Sequence, residues 1–212
     1  MNRIVFRSIV IWLGAALLAG CGALVPSLGP NGEPMPAIYE LAAPTSVPGD
    51  LPRVPWSLTV GRPTAIGSLD NDHIAVRPTP LRIEYYADGR WTTRAPDMLH
   101  RYIIRSFQNT GLLKAVGAAA ALDASYRLDT DLVHFETVYP ADGDDPQVHV
   151  RIHATLLALP GGSILGARDF AATATPASPA VRDVISAFDR ATAEMVQDLI
   201  RWTLITPQRT AS

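Results

Sequence analysis

The chain has 212 residues with 18 basic and 20 acidic side chains, and Cys21 is its one cysteine. This length fits one domain plus an extension, and the mildly acidic balance argues against nucleic acid as a partner, because nucleic-acid-binding domains usually carry a basic patch. With a single cysteine, an internal disulfide and a multi-cysteine zinc site are excluded.

Residues 1–20 have the features of an export signal. Two arginines and no acid precede the apolar run 9–20, which has 12 residues, whereas about 20 are needed to cross the hydrocarbon core of a bilayer. A basic start, a short apolar run and small residues before the cleavage point are typical of a secretory signal peptide. We predict cleavage between Gly20 and Cys21, which lowers the net charge from −2 to −4 because two arginines are lost.

The sequence Leu18-Ala19-Gly20-Cys21 resembles the lipobox of bacterial lipoproteins. The resemblance implies a diacylglyceryl group on the sulfur of Cys21 and an N-acyl chain on its freed amine, and we expect no other cofactor. Two acyl signals anchor a protein stably, whereas one gives only reversible binding. Gly22 follows the cysteine where inner-membrane lipoproteins carry aspartate, which implies the outer membrane. The alternative is that Cys21 is a buried structural cysteine.

A proline-rich segment follows the cysteine. Eight prolines lie between residues 22 and 55, and they favour extended, semi-rigid backbone over packed structure. The first strand pattern begins at Ile38. We therefore divide the mature chain into a tether over residues 21–37, one domain over residues 38–205 and a C-terminal tail over residues 206–212.

Alternating apolar and polar residues predict short β-strands in the first half of the domain, at residues 38–41, 56–60, 74–77 and 81–86. The Ala-Asp-Gly sequence at residues 87–89 predicts a hairpin turn. The apolar period then changes to that of a helix. Pro96 suits a first helical turn, Leu99 and Phe107 lie on one side, and Gly111 is a stop signal, which together predict a helix over residues 96–110.

Longer strands are predicted after this helix, at residues 126–139, 148–156 and 164–173. The first changes the parity of its apolar residues near Leu132, which indicates a β-bulge. The second alternates without interruption, which is typical of an antiparallel strand with one buried face. Turns separate the strands at residues 142–146 and at Gly161-Gly162.

The strongest periodic pattern lies near the C-terminus. Ser178 and Pro179 supply a cap and a first-turn proline, and apolar residues from Val181 to Trp202 keep helical spacing over about six turns. Core packing on a sheet is the favoured interpretation of this stripe, and a helix that binds in a partner's groove is the alternative. The element order predicts a single α+β domain, an antiparallel β-sheet with two helices packed on one face.

The sequence lacks the common catalytic patterns. It contains neither the glycine-rich nucleotide-binding motifs nor a G-x-S-x-G nucleophile elbow. The acidic residues at 142–145 do not have the spacing of a calcium loop, so a polar turn is the favoured interpretation. We therefore expect no catalytic residue, and we classify the protein as a non-enzyme.

Three histidines, on two predicted strands, are candidate metal ligands. His149 and His153 share one strand face, but four residues along a strand separate them by about 13 Å, so they cannot bind one ion together. His134 would approach His153 if the strand register placed the two opposite each other. Solvated histidines are the favoured interpretation, and we expect no metal site.

Several short motifs together resemble the ABC-type transport auxiliary lipoproteins. They are the lipobox, Tyr39-x-Leu41, Leu58-Thr59-Val60-Gly61, Ile74-Ala75-Val76-Arg77, Tyr85-Tyr86, Arg90-Trp91 and Pro96-Asp97-Met98-Leu99. Their order and spacing, over residues 38–203, carry the resemblance. The family usually has a Pro-x-x-Leu-Asp stretch between the early strands, and here Leu69-Asp70 is kept without the proline.

The resemblance implies a lipid-anchored protein on the periplasmic face of the outer membrane. Its partners would be an inner-membrane ABC permease with its ATPase and a periplasmic MCE-domain protein, in a system that moves phospholipids or other hydrophobic molecules between the membranes. A homo-oligomer, and partner contacts through Trp91 and Tyr39, are further expectations, whereas Trp91 would alternatively pack under the first helix. A periplasmic lipid-binding carrier and a lipopolysaccharide-assembly lipoprotein stay open as other functions.

Overall fold

The computed structural model describes residues 35–43, 49, 51–118, 123–140 and 145–210. The predicted export signal and Cys21 lie outside the described residues. Within them, nine strands form one sheet with two helices. The strands are β1 (Ala37–Tyr39), β2 (Ser57–Val60), β3 (Thr64–Ala65), β4 (His73–Thr79), β5 (Arg82–Trp91), β6 (Ala115–Ala118), β7 (Tyr126–Val138), β8 (Gln147–Ala158) and β9 (Ser163–Ala174), and the helices are α1 (Ala95–Thr110) and α2 (Val181–Thr210).

The long strand β7 is the centre of the sheet. It pairs antiparallel along its whole length with β8, which pairs antiparallel with β9. On its other side β7 pairs in parallel with three short strands, first β2, then β3, then β4. β5 forms a hairpin with β4, while β1 lies parallel to β5 and β6 lies parallel to β2.

A single α+β domain is confirmed, and one compact unit covers residues 36–212. The sheet, however, is mixed rather than purely antiparallel. β2, β3 and β4 are not joined to β7 by a hairpin, which would make the paired strands antiparallel, because β5, α1 and β6 lie between β4 and β7 in the chain. The prediction that both helices cover the same face of the sheet stays a prediction.

α1 begins and ends close to the predicted residues. Pro96 lies in its first turn, and Gly111 ends it in the left-handed conformation with φ 62°. The N–H of Gly111 donates to the carbonyl of Gln108 at 3.1 Å, which satisfies one of the carbonyls left free at the helix end. Leu99 and Phe107 are buried on the predicted side.

The turn predicted at residues 87–89 is wrong. β5 continues through these residues, and the turn of the β4–β5 hairpin is Pro80-Leu81, because Thr79 pairs with Arg82. β4 pairs with β5 at Tyr85 and at Arg90, with a register shift between them that includes residues 87–89, and β1 pairs with Gly89, so these residues form an irregular part of a continuing strand. A local Asp-Gly turn signal is thus overridden by tertiary pairing.

Gly89 is needed for close packing rather than for a turn. A Cβ atom at this position would lie 2.8 Å from Cγ1 of Val181 and 3.0 Å from Cδ1 of Ile74. Both distances are shorter than carbon atoms tolerate without displacement. The absence of a side chain therefore lets the first turn of α2 approach β5.

The predictions for the long strands are confirmed. The β7–β8 register shifts between Leu132 and His134, which is the expected bulge. The apolar residues of β8 are buried and alternate with more exposed polar residues. Gly162 has φ 70° in the turn between β8 and β9.

α2 supplies much of the core. The helix begins at Val181, so Ala180 rather than Ser178 occupies the cap position and Pro179 lies before the first turn, not in it as predicted; Ser178 Oγ accepts the N–H of Ala180 at 3.2 Å. The helix has 30 residues and extends to Thr210, so it includes most of the segment assigned from the sequence to a C-terminal tail. Its apolar stripe packs on β8 and β9, which confirms the core interpretation for the buried part of the stripe.

Candidate functional site on the polar face of the sheet

The strands β7, β8 and β9 have two chemically different faces. Successive side chains of a strand point to opposite faces, so Phe135 packs on Phe188 of α2, with ring centroids 4.8 Å apart, while the next residue, Glu136, points away from α2. Glu136 lies opposite His149 in the β7–β8 register. We call this side the polar face, and its ionisable residues include His134, Glu136, His149, Arg151, His153 and Asp169.

Glu136 is the buried carboxylate of the polar face, with 1% of its surface exposed. Its Oε2 accepts the N–H of Phe135 at 2.7 Å, and its Oε1 lies 2.8 Å from Nδ1 of His134 and 3.3 Å from Nε of Arg77. Burying a carboxylate is costly unless charges and hydrogen bonds compensate it. Both oxygens are compensated here, so the carboxylate holds β4 and β7 side chains in one arrangement.

His149 lies across from this carboxylate on β8 and is half-buried. Burial lowers the pKa of His149, because desolvation disfavours the imidazolium ion, and nearby His134 acts in the same direction. The carboxylate of Glu136 opposes this shift but does not cancel it. His149 is therefore held neutral at neutral pH.

A shallow cleft of about 440 Å³ opens beside these residues, at the end of the sheet where β4 and β7 finish. The carbonyl of Pro80 accepts a hydrogen bond from Nη1 of Arg77 at 3.1 Å, which ties the hairpin turn to the cleft. The lining of the cleft combines ionisable and apolar side chains. Its lining residues are Arg77, Pro80, His134, Glu136, Val138, Tyr139, Pro140 and His149.

A second charged group lies further along the polar face. Asp169 of β9 accepts from Nη2 of Arg151 at 2.5 Å and lies 2.7 Å from Nδ1 of His153. The contact with His153, together with Arg151, holds the pKa of Asp169 below its ordinary value. All three side chains are exposed, so solvent screens the interaction.

The register decides how the histidines are arranged. Arg151 lies opposite His134, and Asp131 lies opposite His153, so the approach of His134 to His153 that a shared ion would need does not occur. Within residues 35–43, 51–118, 123–140 and 145–210, no group of three histidine, cysteine or acidic side chains is arranged to hold a metal ion. His134 and His153 instead contact carboxylates.

Of the two expected partner contacts, Trp91 is not available in this fold. It is 2% exposed, and its ring centroid lies 5.4 Å from that of Phe135 and 5.3 Å from that of Phe188. The packing alternative is the better description, but the indole packs on α2 and β7. The end of β5 directs the side chain into the core. Tyr39 is half-buried in β1, and its role in partner binding stays a proposal.

The sequence patterns did not predict two features of the structure, the cluster around Glu136 and the partial exposure of Trp202. Glu136 is one of three acids in a strand of mixed polarity, and its partner Arg77 is 59 residues away, so only the pairing of β4 with β7 reveals the cluster. Trp202 was assigned to the buried stripe, but it is half-exposed and borders a groove of about 250 Å³ with Arg168 and Arg201. The one indication of this exposure in the sequence is that Trp202 lies at the end of the stripe, between two polar residues.

The polar face holds two of its carboxylates in place. Glu136 is contacted by three donors, and Asp169 is contacted by two. Paired charges of this kind present a fixed pattern to a partner surface. In the described part of the chain, neither helix combines the length and the apolar character needed to cross a bilayer.

The sequence matches the family model of the ABC-type transport auxiliary lipoprotein component over residues 39–199. This range covers most of the chain and nearly all of the compact unit. The protein therefore belongs to the ABC-type transport auxiliary lipoprotein family. The match confirms the resemblance found in the motifs.

Solved structures share the fold. The crystal structure of XCC0632 from Xanthomonas campestris is 29% identical, with a TM-score of 0.78, and the match covers 82% of this chain and 98% of that chain. An uncharacterized protein of 12% identity matches with a TM-score of 0.63 over 78% of this chain and 97% of its own, which supports the fold alone. No curated protein matches the chain.

Proposed function

We propose that the protein is a lipid-anchored, non-catalytic component of an ABC transport system, on the periplasmic face of the outer membrane. The system would contain an inner-membrane permease with its ATPase and an MCE-domain protein, and would move phospholipids or other hydrophobic molecules between the two membranes. The family match over residues 39–199 carries the proposal. The lipobox-like sequence before Cys21 supports the anchor.

The polar face supports a docking role without catalysis. A general acid or base needs a group that is free to exchange a proton with a substrate. Glu136 and Asp169 are instead occupied by neighbouring donors. Charges that are held in place give a partner surface a defined register and orientation.

The packing beneath the sheet favours docking over the carrier function. A carrier that encloses an acyl chain needs a cavity between the sheet and its helices, lined by apolar side chains. In the described residues this layer is filled by large side chains with little or no exposure, among them Trp91, Phe135, Phe188 and Leu132. Lipid binding inside this layer would require the core to open.

Affinity purification tests the proposal. The full chain with a C-terminal tag is purified from detergent-solubilised envelopes, with a Cys21→Ser variant as the matched control for the anchor. We expect the ATPase, the permease and an MCE-domain protein to co-purify with the wild type. Recovery of none of them contradicts the proposal, and recovery of an outer-membrane β-barrel instead favours lipopolysaccharide assembly.

Two further measurements test the finer statements. Density separation of inner and outer membranes should place the acylated protein in the outer-membrane fraction, and an inner-membrane location contradicts that part. Native mass spectrometry should show the protein without bound lipid. A lipid that stays bound after removal of detergent favours the carrier function.

A homo-oligomer is also part of the proposal. Within the described residues β9 pairs only with β8, and a free strand edge is a place where a second chain can add. Mass photometry of the detergent-solubilised protein measures the assembly directly. The mass of a single chain at all concentrations contradicts this part and leaves the rest of the proposal unchanged.

A further inference from the structure

Two hairpin turns carry an exposed aliphatic side chain, and they lie at opposite ends of the sheet. Leu81, in the β4–β5 turn, is 99% exposed, and Ile164, beside the β8–β9 turn, is 67% exposed. β4 runs parallel to β7, so Leu81 lies at the end where β7 finishes. Ala158 pairs with Tyr126, so Ile164 lies at the end where β7 begins.

The direction of β1 distinguishes these two ends. β1 runs parallel to β5, with Ala37 opposite Gly89 and Tyr39 opposite Trp91. Because the two strands run in the same direction, Pro36, which precedes Ala37, lies toward the side where β5 begins, although Ala37 itself is level with Gly89 near the end of β5. That side carries the β4–β5 turn.

The proposed anchor is too distant to orient the domain by itself. Cys21 lies 16 residues before Ala37, and a proline-rich segment of this length spans up to about 50 Å at about 3.1 Å per residue. A domain on such a tether can present any side to the membrane. A second contact at the entry side would select one orientation.

We propose that the β4–β5 turn, Pro80-Leu81, contacts the lipid surface to which the chain is anchored, so that this end of the sheet faces the membrane. The proposal depends on the lipid anchor in the proposed function. Hairpin turns usually contain glycine, asparagine or aspartate. A fully exposed leucine at the apex of a turn is the side chain that a bilayer surface would bind.

The surroundings of the turn fit this role. Pro80 fixes one backbone dihedral angle, and Nη1 of Arg77 donates to its carbonyl at 3.1 Å, so the turn is rigid. Arg82 follows the leucine with an exposed guanidinium group that pairs with Glu84 and can reach lipid phosphates. Tyr139, whose N–H donates to the carbonyl of Arg77 at 3.0 Å, adds an aromatic side chain of the kind found at bilayer interfaces.

The expected strength suits a contact that assists an anchor. Burial of one leucine side chain favours the bound orientation by a factor on the order of 10 to 100. This factor is too small to bind the domain to a membrane without acyl chains. It is large enough to keep an already anchored domain mainly in one orientation.

Site-specific fluorescence tests the proposal. Full-length acylated Leu81→Cys is labelled with the polarity-sensitive dye NBD and reconstituted into vesicles of phosphatidylethanolamine and phosphatidylglycerol, with Ile164→Cys as the matched control. Cys21 is the one native cysteine, and acylation blocks its thiol. We expect a blue shift and an intensity increase of about threefold or more at position 81, with quenching by nitroxide-labelled lipid, and a water-like spectrum at position 164.

The outcomes separate this proposal from the function on which it depends. If the protein floats with the vesicles but position 81 stays water-like, or both positions shift equally, the membrane contact of the turn is wrong and the anchor is retained. If the protein does not float with the vesicles, the anchor and this proposal both fail. The unlabelled Leu81→Ser variant should unfold at the wild-type temperature and co-purify with the same transport proteins, because the side chain contacts solvent.

Discussion

Phe135 and Glu136 are neighbours in β7 with the same exposure of 1%, but they belong to opposite faces of the sheet. Phe135 is buried among aromatic rings against α2, where removal from water itself stabilises the fold. Glu136 is buried under Arg77 and His134, where removal from water is costly and pairing compensates for it. Equal burial thus has different consequences. One face holds the fold together, and the other holds charges in fixed positions, which in the proposed function are presented to a partner.

The largest effect should come from the aromatic side of this comparison. Phe188→Ala removes the ring that contacts both Trp91 and Phe135, and we expect the free energy of unfolding to fall by about 3–5 kcal/mol. Urea denaturation followed by circular dichroism measures the change. Ile185→Ala, at a half-buried position on the same helix, is the control and should cost less. A loss for Phe188→Ala no greater than that of the control would contradict the assigned core.

Removal of the buried carboxylate of Glu136 should cause the second-largest loss of stability. Glu136→Ala leaves Arg77, His134 and the N–H of Phe135 without their acceptor, and we expect a loss of about 1.5–3 kcal/mol in the same assay. Glu136→Gln keeps an acceptor oxygen and should lose less. The matched surface control is Glu84→Ala, which breaks an exposed pair with Arg82 and should cost well under about 1 kcal/mol. Equal losses at positions 84 and 136 would show that the buried cluster does not form.

The pH dependence of stability tests one residue of the polar face, His149. The pKa of His149 is lowered in the folded state, so below pH 6.5 the unfolded chain takes up a proton before the folded chain does. Stability therefore decreases as the pH falls through 6.5 and levels off below the folded-state pKa. His149→Gln should remove this part of the slope, and His153→Gln, which leaves His149 in place, should retain it. The thermal unfolding of both variants is measured between about pH 7.5 and 4.5, which covers the range over which histidine titrates.

The smallest effect should be found at the exposed pair of Arg151 and Asp169. The pKa of Asp169 is lowered by His153 and Arg151, so its contribution to stability is present above the ordinary aspartate pKa and disappears as the pH falls below it. Arg151→Ala should move this pKa toward 3.8, as carboxyl NMR titration would measure. Arg127→Ala, which breaks the separate pair with Asp129, is the control and should leave it unchanged. High salt should reduce the difference.

Much of the fold was predictable because its signals are local. The start and end of α1, the bulge near Leu132, the alternation in β8 and the turn at Gly162 each depend on residues only a few positions apart. The short motifs that indicated the family are also local, and the family match confirms them. The sequence by itself thus determined the two helices, the long strands and the family, whereas the short strands β3 and β6 were not predicted.

Only the tertiary structure decided which elements meet and in which register. Residues 87–89 have the sequence of a turn but lie within β5, because β4 pairs with that strand before and after them and β1 pairs with Gly89. The Arg77–Glu136 pair joins residues 59 positions apart, and the exposed Leu81 acquires its proposed role from the direction of β1. A sequence pattern records the environment of each residue within a few neighbours, whereas contacts between distant segments depend on pairing and packing energies of the whole chain.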